Sequence, residues 1–119
     1  MEEEFKGIDA LVEYIRFLQE KNKDKAMLFD PQRLLEFKQC YDRMLSIAKE
    51  TTPDATPEIH MNWFGMGDCS FSIETDEFEV REPNEFILAI KDTTNFEVYP
   101  LLNGKIRIGV MFKDVMVSV

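Results

Sequence analysis

The residues of this chain best equipped for chemistry are His60, Asp68 and Cys69. His60 is the only histidine, and an imidazole near neutral pH can serve as a general base. Residues 65–68 read GMGD and form a turn signal, so His60 lies on one side of it and Asp68 and Cys69 come back on the other. A Cys/His pair is one arrangement that activates a nucleophile. The spacing fits no known nucleophile signature, and zinc sites use a tighter ligand pattern. The three therefore define an alternative reading, a small-ligand or enzymatic pocket. The plain alternative is neighbours with no joint role. No catalytic residue, metal or cofactor is assigned from them.

Glycine-rich loops cradle phosphate when they lead from a strand into a helix N-terminus. GMGD joins strand to strand, so it is read as a turn only.

The second feature is a run of carboxylates. Glu74, Asp76, Glu77, Glu79, Glu82 and Glu85 stand against a single Arg81. If Phe78 and Val80 face a core in a strand, Glu77, Glu79 and Arg81 share its solvent face. The acids then make a contiguous negative edge that suits a basic protein partner and speeds encounter with it. The competing reading is an outer strand whose charges block edge-to-edge aggregation.

The formal net charge is −9. Nucleic-acid binding needs clustered Lys and Arg, and anionic membranes ask for the same, so both partners are excluded. The acidity is uneven: nine basic and twelve acidic residues lie up to Pro57, against five and eleven from Glu58 onward. Cys40 and Cys69 are two thiols without a disulfide framework. The opening MEEEF is acidic where a signal peptide is basic, and no apolar run reaches membrane-spanning length. Reduced thiols in a cytoplasmic protein are the expectation.

These residues need a scaffold. Ile8, Leu11, Val12, Ile15 and Leu18 recur at helical spacing, with the three glutamates before Phe5 at the helix start. Residues 26–29 form an apolar connector. Asp30-Pro31 is a helix-start signal, Asp as cap and Pro at the first helical position. A second helix then carries Leu34, Leu35, Phe37, Tyr41, Met44, Leu45, Ile47 and Ala48 and ends near 49–50. The stretch 51–57 (TTPDATP) is a loop.

Beyond it the apolar period changes from about 3.6 to about 2. Strands are expected over 59–64, 69–74, 78–80, 86–91, 96–101, 106–112 and 115–119, with a two-residue hairpin turn at Asn103-Gly104. No helical pattern intervenes, so parallel crossovers are not expected. The expected fold is α+β: two N-terminal helices packed on one face of an antiparallel meander of five to seven strands. It spans 1–119 as one domain, helical over 1–50 and β over 58–119. The function read from this is a non-catalytic, acidic protein-interaction or accessory module, its partner-binding segment at 74–85. A third reading is a homodimer built through the apolar C-terminal strand.

Overall fold

The structure, a computed structural model, describes residues 2–5, 7–21, 27–62 and 65–118. In chain order it contains β1 (Glu2–Phe5), α1 (Ile8–Lys21), β2 (Met27–Phe29), α2 (Pro31–Thr51), β3 (Glu58–Asn62), β4 (Asp68–Thr75), α3 (Pro83–Ile90), β5 (Asn95–Pro100), β6 (Ile106–Lys113) and β7 (Met116–Ser118). The fold is α+β with an antiparallel sheet. Four strands in the order β3-β4-β6-β5 form its body, and β1 pairs with β3 at one edge. β2 and β7 make a separate two-stranded ribbon.

Helix α2 shows how the sequence builds its elements. Asp30 has extended backbone angles, and its Oδ1 accepts a hydrogen bond from Gln32 N at 3.0 Å. Pro31 takes the first helical position, where its missing N–H costs nothing. Phe37, Cys40, Tyr41, Met44, Ile47 and Ala48 are the buried face, at spacings of three and four. Phe37 packs edge-on against Phe71 and Phe112, with ring centroids at 5.6 Å in each case, and Tyr41 meets Phe71 at 5.4 Å. In β4, burial alternates so that Cys69, Phe71, Ile73 and Thr75 face this core. Ile59 and Met61 of β3 and Ile108, Val110 and Phe112 of β6 complete the sheet side, while Leu11 and Ile15 come from α1. Full burial of such a side chain is worth about 1.5–3 kcal/mol.

Helices and strands are mixed along the chain, and this corrects the expected order. Residues 2–5 are a strand and not the first helical turn; β3 supplies the partner that isolated charges at a helix start lack. The apolar connector is β2, paired with β7. Residues 77–80 have no regular structure, so no strand carries Phe78 and Val80. The largest correction is α3. Phe86, Leu88 and Ile90 alternate like a strand, yet Pro83 at the first helical turn and an unbroken apolar run favour a helix. Consequently β4 and β5 run in the same direction, and β6 lies between them, antiparallel to both. The sheet is therefore not a meander, because one connection is a helical crossover. The expected strand of 59–64 ends at Asn62, and Trp63 and Phe64 lie outside the described residues.

The hairpin between β5 and β6 is one residue longer than expected. Leu101 N donates to Lys105 O at 2.7 Å, and Gly104 N donates to Leu101 O at 3.1 Å. Leu102, Asn103 and Gly104 make the loop, with Gly104 at φ 85°. A three-residue loop of this kind ends on a left-handed residue, which glycine adopts without steric penalty.

Candidate functional site

The register of β3 against β4 decides the fate of the Cys/His pair. Met61 is opposite Cys69, His60 opposite Ser70, and Asn62 opposite Asp68. Successive side chains of a strand point to opposite faces. Cys69 therefore faces the core, fully buried, its Sγ 3.7 Å from Met61 Sδ. Burial pushes its thiol up to about 12. His60 occupies the other face, where its Nε2 lies 4.0 Å from Glu58 Oε2. The structure brings His60 and Asp68 to one face but separates both from the thiol, so no nucleophile–base arrangement forms. Cys40 is also fully buried, and burial pushes its thiol up to about 12. Among the described residues, no three His, Cys, Asp or Glu side chains group as a metal-ligand set.

The GMGD segment is a turn clasped by the chain's C-terminal strand. Met116 N donates to Met66 O at 2.9 Å, and Val115 N to Gly67 O at 3.3 Å. Gly67 has φ 75°, and a Cβ there would meet Met116 Sδ at 3.0 Å. Its glycine serves a close approach of two chain segments.

The acidic run does not form a strand edge. Glu74 is the penultimate residue of β4, Asp76 to Glu82 lie in irregular chain, and Glu85 is in α3. Distant cations come to most of these acids. Glu74 pairs with Arg107 at 2.6 Å and Asp76 with Lys105 at 3.4 Å. Glu79 pairs with Arg81 at 3.6 Å, and Arg81 also reaches Glu50 at 3.5 Å. Arg43 of α2 holds Glu82 at 3.3 Å and Glu85 at 3.6 Å. These are exposed pairs, each worth about 0–1 kcal/mol. Their effect is to neutralise the segment, which leaves Glu77 as the one acid of the six without an ion pair among the described residues.

The start of this segment is anchored by hydroxyls. Thr75 is fully buried at an inward strand position. Its Oγ1 lies 3.2 Å from Ala48 O, 2.9 Å from Glu77 O, 3.1 Å from Thr51 Oγ1 and 3.3 Å from Thr52 Oγ1. Asp76 N donates to Thr52 Oγ1 at 2.8 Å. The cluster ties the C-terminus of α2 to the end of β4. A polar cleft of about 270 Å³ opens beside it, lined by Asp54, Thr56, Glu58, Ser72 and the already paired Lys105 and Arg107.

The surface that sequence reasoning missed is apolar. α3 has no buried residue, although its sequence is PNEFILAI. Ile87 is 58% and Leu88 57% exposed. Phe86 is sandwiched between Phe78 at 5.9 Å and Phe96 of β5 at 5.5 Å, and Ala89 and Ile90 are half-buried against the core. Beside it, β5 is the terminal strand of the sheet among the described residues, with every residue but Phe96 exposed. Val98 and Tyr99 are among its exposed large apolar side chains. The signal in the sequence was the apolar run 86–90 directly after a carboxylate-rich stretch.

Compared with models of protein families, with curated proteins and with solved structures, the chain matches none of them. None of its helices, among the described residues, is long and apolar enough to cross a membrane.

Proposed function

We propose that this chain is a non-catalytic protein-interaction module whose binding surface is centred on α3 and the adjacent β5. One observation carries the reading: α3 half-buries Phe86, Ala89 and Ile90 against the core but leaves Ile87 and Leu88 more than half exposed. Exposed contiguous apolar surface rimmed by polar residues is the mark of an interaction site. Its charged border is Glu97 of β5, which is exposed and has no ion pair among the described residues. Together with the net charge of −9, it suits a partner that presents aliphatic anchors among Lys and Arg. The 74–85 run, five of whose six acids are held in ion pairs, precedes and enters α3 and is not the centre of the interface.

The test uses a photo-crosslinking residue at Ile87, with one at exposed Glu13 as control. The partner joined at Ile87 is then purified and titrated calorimetrically against the parent chain. Binding that weakens at least tenfold in Ile87→Asp, and weakens with salt, supports the reading. Equal crosslinking at both positions, or unchanged affinity of Ile87→Asp, rejects it. A second copy of this chain as the crosslinked species would replace it with self-association.

A further inference from the structure

We infer that the surface on α3 and β5 binds its partner by strand addition, taking a short extended segment that alternates aliphatic with basic residues. The mode of binding presupposes the interaction surface proposed above and adds to it a backbone geometry and a sequence rule for the partner.

The backbone geometry follows from the hairpin. Leu101 N bonds Lys105 O, so Leu101 belongs to the set of β5 residues whose polar groups point at β6. Hydrogen bonding in an antiparallel pair alternates along the strand. Tyr99, Glu97 and Asn95 therefore also turn their N–H and C=O toward Arg107, Gly109 and Met111, their register partners. Phe96, Val98 and Pro100 turn theirs outward, to the free edge. The additional bond from Thr94 N to Met111 O fits this parity, as a bulge that ends the ladder. Phe96 and Val98 offer a donor and an acceptor each; Pro100 offers only its carbonyl. A proline at an outward position limits how long a strand can pair there. The edge is thus open for a segment of about four residues, which excludes extended sheet stacking and leaves short-peptide capture.

The side-chain rule comes from the two faces. Phe96 and Val98 lie in the rows of Val110 and Ile108, on the core side. α3 covers this side through Phe86 on Phe96. At about 100° per residue, Glu85, Leu88 and Ala89 form one flank of α3, and these residues line the cleft against α2. Ile87 then falls on the opposite flank, away from α2 and over the free edge of the sheet. A segment added to β5 places alternate side chains under Ile87 and beside Val98, where aliphatic residues fit. Its other side chains fall on the outer face, next to Glu97. That carboxylate is exposed and has no Lys or Arg within ion-pair distance among the described residues, its one hydrogen bond coming from Asn95 Nδ2 at 3.3 Å. Lys or Arg fits there.

The experiment uses an eight-residue synthetic peptide alternating valine and lysine, a scrambled control of equal charge with its valines clustered, and the whole ¹⁵N-labelled chain. Strand addition predicts saturable shifts and slowed hydrogen exchange at the Phe96 and Val98 amides with the alternating peptide, and at least fivefold weaker binding of the control. It predicts a tenfold or greater loss in Val98→Pro, which removes one outward N–H and whose fold is checked by its amide dispersion. Glu97→Lys is the second variant, needed should Val98→Pro fail to fold, and it also loses tenfold. If Val98→Pro and Glu97→Lys bind like the parent while Ile87→Asp does not, strand addition is wrong and the α3 surface stands. If no shift falls on α3 or β5, both fail. Protection of Phe96 and Val98 that grows with protein concentration alone would name a second copy as the occupant and overturn the peptide assignment.

Discussion

Arg33 and Phe112 hold the start of α2 against the end of β6. The guanidinium carbon sits 4.8 Å from the centre of the Phe112 ring. Its nitrogens donate to Lys113 O at 2.9 Å, Asp92 O at 2.6 Å and Thr94 Oγ1 at 3.2 Å, with Glu36 Oε1 at 3.2 Å. One side chain therefore joins α2, β6 and the α3–β5 connection. Lysine cannot reproduce a planar fork with several donors. Arg33→Lys is expected to cost about 1–2 kcal/mol and Arg33→Ala about 2–3 kcal/mol, given hydrogen bonds from a charged group plus a cation–π contact. Urea denaturation measures both, and equal stability of the three proteins would contradict the account.

The Thr75 hydroxyl is buried among two carbonyls and two further hydroxyls. Thr75→Val keeps the shape and leaves those partners short of a donor, so a loss of about 1–3 kcal/mol is expected. Thr75→Ser keeps the hydroxyl and loses one methyl group, about 0.8 kcal/mol. The ranking Val worse than Ser in chemical denaturation is the check, since a purely apolar role for this position reverses it.

Both thiols are pushed by burial from 9.0 up to about 12. In the unfolded chain they ionise near the lower value. Their contribution to stability is thus intact below pH about 9 and declines as pH rises toward 12, because only the unfolded state releases protons in that window. The slope is about 1.4 kcal/mol per pH unit for each thiol. Denaturation midpoints at pH 8, 10 and 11 should fall more steeply for the parent than for a Cys40→Ala, Cys69→Ala double variant. The same burial makes both thiols react with a disulfide reagent only on unfolding, at neutral pH.

Gly67 and Gly104 both have positive φ, but only Gly67 is crowded. Alanine at either position meets the left-handed backbone penalty of about 1–2 kcal/mol. At Gly67 it must also displace the Met116 side chain, so Gly67→Ala is expected to be the more damaging. Melting temperatures of the two variants decide it.

Ile87 stabilises little in the free chain. Ile87→Asp is expected to change stability by no more than about 0.5 kcal/mol, as for other surface positions. A large loss on thermal melting would mean that α3 is held by this residue, and the binding variants above would then need Ile87→Ser.

The parts of the fold that could be read from the residues are those with local causes. α2 has a cap, a proline and twenty residues of one period, and β4 alternates over its full length. β1 and β2 have no local cause; EEEF and MLF become strands only because β3 and β7 lie beside them. α3 failed for another reason: eight residues with apolar side chains at 86, 88 and 90 satisfy both periods, and only Pro83 favours the helix. The site was harder still. The acids at 74–85 were visible as composition, but Arg43, Lys105 and Arg107, which neutralise them, lie 29 to 42 residues away and reach them only in the folded chain. His60 and Cys69 were close in sequence and correctly placed on neighbouring strands, yet a register of one residue put them on opposite sides.

The position of β6 between β4 and β5 has a kinetic meaning. β6 is made after both of its neighbours, so on a growing chain β4 and β5 have no common partner until the hairpin after Pro100 is complete. The sheet then closes by insertion into a gap and not by addition at a rim, and such non-local pairing is intrinsically slow. Until it happens, the rows that will bury Phe71 and Ile73 face an unfinished neighbour. The newly made chain therefore spends its most exposed moments waiting for one strand, and β6 is where a slowed ribosome or a holding chaperone would have the greatest influence on yield.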